Sequence, residues 1–304
     1  MAQPHDSTNG QEAGRQAVAD LQKMLKLTPL GRQQGEEIYS ALTINPESRR
    51  IFGGQVLAQA IVALSDSVVE TRTMHSIHAY FLRPGQVDQD LSFGVQKLTD
   101  ARSFTSRRVQ AYQQNQVIFS AIASFQEQAQ GPNHSTPAPQ NMPKPEELAS
   151  VAETVGHLDL PIAQAISYHR PFDLRYIQAP LWLKPDPNPA PSAAVWFKTF
   201  APLPDDPLLH RAALAYASDY LPVEPGLRAH GKFWLQQGLK VASLDHAIWF
   251  HRPARADQWL LYTLESPSAQ DARSLALGKI FSSEGEHVAT VAQETMLRLP
   301  EYRS

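Results

Sequence analysis

An internal duplication constrains the fold of this chain more than any other feature of its sequence. The segment HSIHAYFLRPG, His75 to Gly85, aligns with LDHAIWFHRPA, Leu244 to Ala254, so that two aromatic pairs and an Arg-Pro pair coincide. Further along each copy, ARSF matches ARSL, and VIFSAIASFQ matches HVATVAQETM. Because the order and the spacing of these matches agree, we infer that a whole structural unit is duplicated.

Each unit shows the same succession of hydrophobic patterns. A strand-like alternation is followed by an apolar segment with helical spacing and then by four strand-like runs that are separated by turn residues. The pattern predicts strands at 37–44, 74–83, 87–98, 103–113 and 116–127 around a helix that starts at Gly53-Gly54, and strands at 193–200, 239–250, 258–267, 272–283 and 286–298 around a helix at 206–221. The sequence therefore predicts an α+β fold in which each antiparallel sheet wraps around one apolar helix.

The remaining segments set the boundaries of the units. Residues 1–20 lack both a basic start and an apolar core, so we expect a disordered N-terminal tail rather than a signal peptide. Residues 131–192 are rich in proline, which predicts an extended linker that crosses between the units. The N-terminal unit is then 21–130 and the C-terminal unit 193–304.

Composition narrows the classes of function. The formal net charge is −3, which gives no reason to expect nucleic acid as a partner. The chain contains no cysteine, so thiolate nucleophiles and sulfur-ligated metals are excluded. No segment approaches the roughly 18 apolar residues of a membrane span, and the terminal EYRS is not a peroxisomal address. We expect a cytoplasmic protein that has no membrane partner.

Several long motifs, in order, resemble the acyl-CoA thioesterase II family. They are FGGQVLAQA, HSIHAYFLRPG, YASDYLP, SLDHAIWFHRP, WLLYTLESPSAQDARS and VATVAQETMLR, and the similarity extends from about Leu21 to Arg298 without the proline-rich link. The resemblance implies a double hotdog fold, in which two hotdog units are fused in one chain. It also implies hydrolysis of fatty acyl-CoA to fatty acid and free CoA, with neither a metal nor a covalent intermediate.

The resemblance also implies the catalytic residues. The family uses an aspartate on the second helix, a threonine or serine just before the LDH motif and a glutamine on the last strand, which here are Asp219, Ser243 and Gln293. An aspartate at the end of an apolar helix is partly desolvated, which raises its pKa and suits a general base. Superposition of the repeats sets Val62 opposite Asp219, so we expect only one active site in each chain; Ser124 is taken as the repeat partner of Gln293, a second difference between the units.

Other chemically suggestive residues are given structural interpretations. His246 and His251, like His75 and His78, lie an odd number of residues apart, so neither pair can bind one metal ion from a regular strand. We therefore predict no metal site and no cofactor, and we expect Asp245 and the histidines to hold local structure. His75 is kept as a secondary candidate for the active site.

Two further features each allow a functional and a structural interpretation, and a third is rejected as a functional site. The amides at Gly53-Gly54 either bind a thioester oxygen or reflect close helix–sheet packing. A strand arginine such as Arg102, Arg107 or Arg108 either meets CoA phosphates or is simply solvated. The segment GLRAHGKF lacks the hydroxyl residue of a phosphate-binding loop, so a nucleotide site is rejected.

Two rival functions remain beside acyl-CoA hydrolysis. A hotdog enoyl-CoA hydratase would need an aspartate and a histidine at a loop and helix start, which we do not expect near Gly53 or Asp206. A non-catalytic acyl-CoA-binding protein would be expected to lack at least one of the three residues implied by the family. In either case we expect acyl-CoA as the partner and a homo-oligomer, a dimer or tetramer of double hotdogs.

Overall fold

The computed structural model describes residues 7–44 and 50–302 of the chain. The N-terminal half contains two helices and six strands: α1 (Ser7–Met24), β1 (Thr28–Gln33), β2 (Glu36–Ala41), α2 (Gly53–Asp66), β3 (Arg72–Phe81), β4 (Leu91–Asp100), β5 (Phe104–Gln113) and β6 (Gln116–Glu127). The six predicted elements of the first unit are all present, and their boundaries differ from the predicted ones by a few residues.

The rest of the chain builds the second unit. A short 3-10 helix at Pro145–Glu147 precedes α3 (Val151–Val155), α4 (Pro161–Tyr168), β7 (Phe172–Tyr176), β8 (Ser192–Thr199), α5 (Pro207–Ser218), α6 (Glu224–Ala229), β9 (Lys240–Ser243), β10 (Asp245–Phe250), β11 (Leu260–Gln270), β12 (Arg273–Ser282), β13 (His287–Arg298) and a second 3-10 helix at Pro300–Tyr302. The strand predicted at 239–250 is interrupted at Leu244, which separates β9 from β10.

The thirteen strands found within the described residues all belong to one antiparallel sheet. Twelve of them follow the order β1-β2-β4-β5-β6-β3-β10-β13-β12-β11-β8-β7, and β9 pairs with β13. The two units meet where β3 pairs with β10, with Ile77 opposite Ile248. Each unit therefore completes an edge of the other.

The central helices α2 and α5 contact each other inside the curved sheet. The residues of α2 from Gly54 to Ile61 are all buried, as expected of a helix that is apolar around its circumference. Helix α5 begins with Asp206, whose carboxylate accepts a hydrogen bond from the amide of Leu208, and with proline in its first turn. Both helices are thereby fixed at the centre of one hydrophobic core.

The predicted disordered tail at 1–20 is wrong for residues 7–20, because these residues belong to α1; residues 1–6 lie outside the described residues. The side chains of Val18, Leu21 and Met24 are buried, so packing against the rest of the fold stabilises a segment of weak helical pattern.

The proline-rich segment 131–192 is a crossover, but it is not wholly an extended linker. It contains α3, α4 and β7, and β7 pairs with β8 from Phe172 opposite Thr199 to Tyr176 opposite Val195. The strands of the second unit thus begin before residue 193. None of the helices within the described residues is both long and apolar enough to cross a membrane.

Candidate active site

Asp219 lies at the end of α5, where that helix meets the start of α2. It is the C-cap residue of α5 and is only 8% exposed. A Cβ atom on Gly53 would lie 2.6 Å from Oδ2 of Asp219, and one on Gly54 would lie 2.4 Å from the carbonyl oxygen of Tyr216. The Gly-Gly pair is therefore required by the close approach of the two helices.

Burial changes the acidity of Asp219. Desolvation raises the pKa of this carboxyl group from 3.8 to about 7, against the opposing effect of hydrogen bonds from Ser243, Gln293 and the backbone amide of Gly54. A carboxyl group with this pKa is partly ionised at neutral pH and can both accept and return a proton. The backbone amide of Gly54 donates a hydrogen bond to the Asp219 carboxylate and so stabilises its ionised form. In this structure Gly54 therefore allows close helix packing and stabilises the negative charge of Asp219.

The structure brings Asp219, Ser243 and Gln293 together. The Ser243 hydroxyl donates to Oδ1 of Asp219 at 3.1 Å, and the Gln293 amide nitrogen donates to Oγ of Ser243 at 2.9 Å. The same amide nitrogen lies 3.3 Å from Oγ1 of Thr295. The three residues thus form a continuous chain of hydrogen bonds that ends on the carboxylate.

His246 extends this chain, a place in the site that the sequence pattern does not predict. Its Nδ1 lies 2.5 Å from Oε1 of Gln293, and its Nε2 lies 3.0 Å from Oγ of Ser218. Burial lowers the pKa of His246 to about 4, so the ring is neutral near pH 7. Since an amide oxygen only accepts, we assign the single ring proton to Nδ1. His246 therefore fixes which end of the Gln293 amide faces Ser243.

A β-bulge explains why alternation alone could not place His246. Ser243 lies opposite Thr295, whereas Ala247 lies opposite Ala292, so the register shifts by one residue between β9 and β10. Ser243 and His246, three residues apart, consequently both face Gln293. Asp245 holds the irregular segment, because its carboxylate accepts a hydrogen bond from the amide of Glu294 at 2.7 Å, which confirms its structural role.

The first unit carries the same bulge but an apolar version of the site. Its register shifts between Met74, opposite Phe125, and Ser76, opposite Ser124. The strand pairing sets Ala123, rather than the predicted Ser124, at the position that corresponds to Gln293. Met74 corresponds in the same way to Ser243, and Ile77 corresponds to His246. Met74, Ile77, Ala123 and Phe125 are all buried. The polar network is therefore confined to the second unit.

The secondary candidates have other contacts. His75 packs edge-on against the ring of Phe104, with 6.0 Å between ring centres, rather than against Asp219. Arg107 is buried and donates to Asp100 at 2.8 Å, and Arg108 lies 3.9 Å from Glu36. The carbonyl oxygen of Arg102 accepts from Arg72 at 2.9 Å. These contacts are structural ones within the first unit.

His251 and His287 lie outside the network and make ordinary polar contacts. His251 lies 2.8 Å from Oγ1 of Thr290, and the ring centres of His251 and His287 are 4.7 Å apart. Within residues 7–44 and 50–302, no group of three or more histidine, aspartate or glutamate residues is arranged to hold a metal ion.

Comparison with known proteins assigns the chain to a family. Residues 165–296 match the family described as acyl-CoA thioesterase, and residues 42–126 match the acyl-CoA thioesterase N-terminal domain. Acyl-CoA thioesterase 2 of Haemophilus influenzae is 38% identical over 262 residues, which are 83% of this chain and 89% of that protein.

Solved structures agree with this assignment and with the expected fold. The acyl-CoA thioesterase II TesB2 of Mycobacterium marinum superposes with a TM-score of 0.75 and 38% identity over 93% of this chain and all of that chain. A hot dog fold protein of unknown function from Alicyclobacillus acidocaldarius has a TM-score of 0.72 at 16% identity, over 92% of this chain and 98% of that one, and supports the fold alone. The predicted α+β double hotdog is confirmed, and the chain belongs to the acyl-CoA thioesterase II family.

Proposed function

We propose that this protein hydrolyses fatty acyl-CoA to free fatty acid and CoA, with a water molecule held by Asp219, Ser243 and Gln293. The observation that carries the proposal is the buried Asp219 carboxylate, with a pKa of about 7, at the end of a hydrogen-bond chain through Ser243 to Gln293. The names of the relatives, which are acyl-CoA thioesterases, support the same substrate class.

The chemistry follows from the acidity of Asp219. A carboxylate offers about four lone-pair positions, so Asp219 can accept a proton from water while it also accepts the Ser243 hydroxyl. The water oxygen attacks the thioester carbon as Asp219 takes the proton. The carbon–sulfur bond then breaks, and the CoA thiolate recovers the proton from Asp219. The products are a carboxylic acid and a thiol, and the enzyme returns to its starting state.

Ser243 and Gln293 orient the water molecule and also tune the base. The Ser243 hydroxyl has one proton, which it donates to Asp219, and its oxygen accepts from Gln293. The interaction lowers the pKa of Asp219 from the value that burial alone would give. His246 acts through Gln293, because it fixes the amide orientation and lies next to Gln293 rather than Asp219. No metal or cofactor has a step in this mechanism.

Enoyl-CoA hydration is the second enzymatic function considered, and His210, near Asp206, is the residue that could support it. Contrary to the expectation that this region lacks a histidine partner, His210 follows Asp206 in the first turns of α5. The Asp206 carboxylate, however, accepts from the amide of Leu208 at 2.8 Å, and Nδ1 of buried His210 accepts from the amide of Ala256 at 3.1 Å. These hydrogen bonds favour helix capping and loop anchoring over catalysis.

The test is release of CoA thiol from saturated acyl-CoA by the wild-type protein and by Asp219→Asn. Because the chain has no cysteine, a thiol-reactive chromophore reports only the CoA that is released. We expect wild-type turnover and a loss of about 10²–10⁴-fold in kcat for the variant, the usual contribution of a general base. A wild-type protein that binds acyl-CoA without releasing thiol would support the binding-protein reading instead.

An enoyl-CoA substrate distinguishes the hydratase hypothesis from the thioesterase hypothesis. Loss of the enoyl absorbance without thiol release, retained in Asp219→Asn and lost in His210→Ala, would indicate hydration. The cytoplasmic location and the homo-oligomer of two or four chains stay predictions, which fractionation of cells and light scattering would test.

A further inference from the structure

A large cavity lies between the N-terminal helix α1, the crossover helix α4 and the junction of α2 with α5. Its volume is about 970 Å³, which falls within the range of pockets that bind small organic ligands. The predicted hotdog units contain only the last four residues of α1 and none of α4. Two of the elements that enclose the cavity therefore lie mostly outside the duplicated units.

One end of the cavity is formed by neighbours of the candidate catalytic residue. Phe52 directly precedes Gly53, and Tyr220 directly follows Asp219; both side chains line the cavity. Their rings are stacked with 5.0 Å between centres, and the ring of Tyr216 meets that of Phe52 edge-on at the same distance. A molecule that extends from Asp219 past these aromatic rings would enter the cavity.

The wall contributed by α1 contains two small side chains beside the larger ones of Gln16, Asp20, Leu21 and Met24. Ala13 and Ala17 both line the cavity and are four residues apart, so they lie on the same face of the helix. The helix is close to its neighbours: a Cβ atom on Gly10 would lie 2.7 Å from the ring of Tyr168, and one on Gly14 would lie 2.6 Å from that of Phe200. Helix α1 therefore packs closely against its neighbours, and the small side chains of Ala13 and Ala17 leave the cavity volume next to it open.

Two of the polar side chains that line the cavity, Gln164 and Gln16, are engaged with the backbone or with a neighbouring side chain. The amide nitrogen of Gln164 donates to the carbonyl oxygens of Gly156 and Leu158, and that of Gln16 donates to Asp20. The guanidinium of Arg170 lies 4.6 Å from the centre of the Tyr220 ring. This chemistry suits a flexible apolar chain better than the phosphates of CoA.

We propose that this cavity receives the fatty acyl chain of the substrate, and that Ala13 and Ala17 of α1 limit the length of chain that fits. The inference rests on the proposed acyl-CoA hydrolysis and names the site for the acyl part. Each methylene that is transferred into an apolar environment contributes about fourfold to the binding equilibrium. Loss of space for three methylenes would therefore lower kcat/KM for a long acyl chain by about 60-fold.

The experiment measures kcat/KM for a series of saturated acyl-CoA substrates from acetyl-CoA to palmitoyl-CoA. Ala17→Phe places a ring inside the cavity, and Ala13→Phe does the same one turn earlier. Ala19→Phe is the matched control, because Ala19 lies on the exposed side of the same helix. We expect Ala17→Phe to keep wild-type kcat/KM for short acyl groups and to lose about 60-fold for long ones. The control should keep the wild-type profile.

The outcomes separate this inference from the proposed function. If the wild-type protein is active and the folded Ala17→Phe and Ala13→Phe variants keep its chain-length profile, the acyl chain lies elsewhere and the inference is refuted, while the proposed function stands. An equal loss for all chain lengths, with weaker inhibition by free CoA, would place the CoA arm in the cavity and also refute it. A wild-type protein that hydrolyses no acyl-CoA would refute both.

Discussion

Replacing Ser243 by alanine removes the hydroxyl that donates to Asp219 at 3.1 Å. A hydrogen bond to a charged group contributes about 1.5–3 kcal/mol, and each pKa unit corresponds to about 1.4 kcal/mol. The substitution should therefore raise the pKa of Asp219 from about 7 by about 1–2 units. The direction follows because the lost hydrogen bond favours the ionised carboxylate.

The assay is the pH dependence of kcat/KM for one acyl-CoA. In the wild-type protein, activity should rise with pH and reach half of its plateau near pH 7, where Asp219 becomes ionised. In Ser243→Ala this rise should move to about pH 8–9, so the ionised fraction at pH 7 falls from about one half to between about one tenth and one hundredth. Activity at pH 7 should fall about 5–50-fold from ionisation alone, and part of it should return at high pH.

Ser243→Thr is the control, because threonine keeps the hydroxyl group. Its pH profile should match that of the wild-type protein. If Ser243→Ala lowers the rate equally at every pH and leaves the midpoint unchanged, Ser243 does not tune Asp219, and the hydrogen bond between them has no part in the chemistry.

Three further predictions concern stability, the amide and the duplication. Asp219 has a higher pKa in the folded state than its ordinary 3.8. Its stabilising effect is therefore present below about pH 4 and is lost as the pH rises to about 7. Because Asp219→Asn does not titrate, its unfolding free energy should gain up to about 4 kcal/mol relative to that of the wild-type protein over that interval. Equal differences at both pH values in denaturant titrations would contradict this. Gln293→Glu should reduce kcat near pH 7 more than Gln293→Ala and should move the pH profile upward, since it loses the amide donor and adds a negative charge near Asp219; equal losses without a shift would leave Gln293 a packing role. A fragment 1–130 should not be a stable monomer, because it exposes the β3 edge and the face of α2 that contacts α5; cooperative unfolding of a monomeric fragment in size-exclusion fractions would refute this.

Strong periodicity made most of the fold predictable. The apolar pattern after Gly53 predicts a buried helix, and α2 is buried along most of its length. Strand β6, predicted at 116–127, has those bounds in the structure. The repeats also predicted two equivalent units, because equivalent patterns bury equivalent faces.

The N-terminal helix could not be predicted because tertiary contacts override its local preference. Gly10 and Gly14 weaken a helix in isolation, yet each allows a close approach, to Tyr168 and Phe200 respectively. Strand β7 was hidden for a related reason: its five residues lie within a proline-rich segment and are held by pairing with β8. A sequence pattern does not report such distant partners.

The candidate site was predictable as a set of residues but not as a network. The family resemblance implies Asp219, Ser243 and Gln293, whereas His246 is expected only to hold local structure, since its odd separation from His251 excludes a shared metal ion. The bulge at Leu244 turns Ser243 and His246 toward the same residue, Gln293, and strict alternation along the strand does not predict this. The choice of Ser124 is a misalignment by one residue, because the match of VIFSAIASFQ with HVATVAQETM already sets Ala123 opposite Gln293. A shift of one residue exchanges the two faces of a strand.

The proposed role of Asp219 is tested most directly by a single turnover of acyl-CoA in ¹⁸O-labelled water, followed by mass analysis of the fatty acid and of the protein. Direct attack by a water molecule that Asp219 activates predicts one labelled oxygen in each fatty acid released, no acyl adduct on the protein at any time, and almost no release by Asp219→Asn. An acyl group bound covalently to the protein during the turnover, or labelled product formed by Asp219→Asn at the wild-type rate, would contradict the central claim.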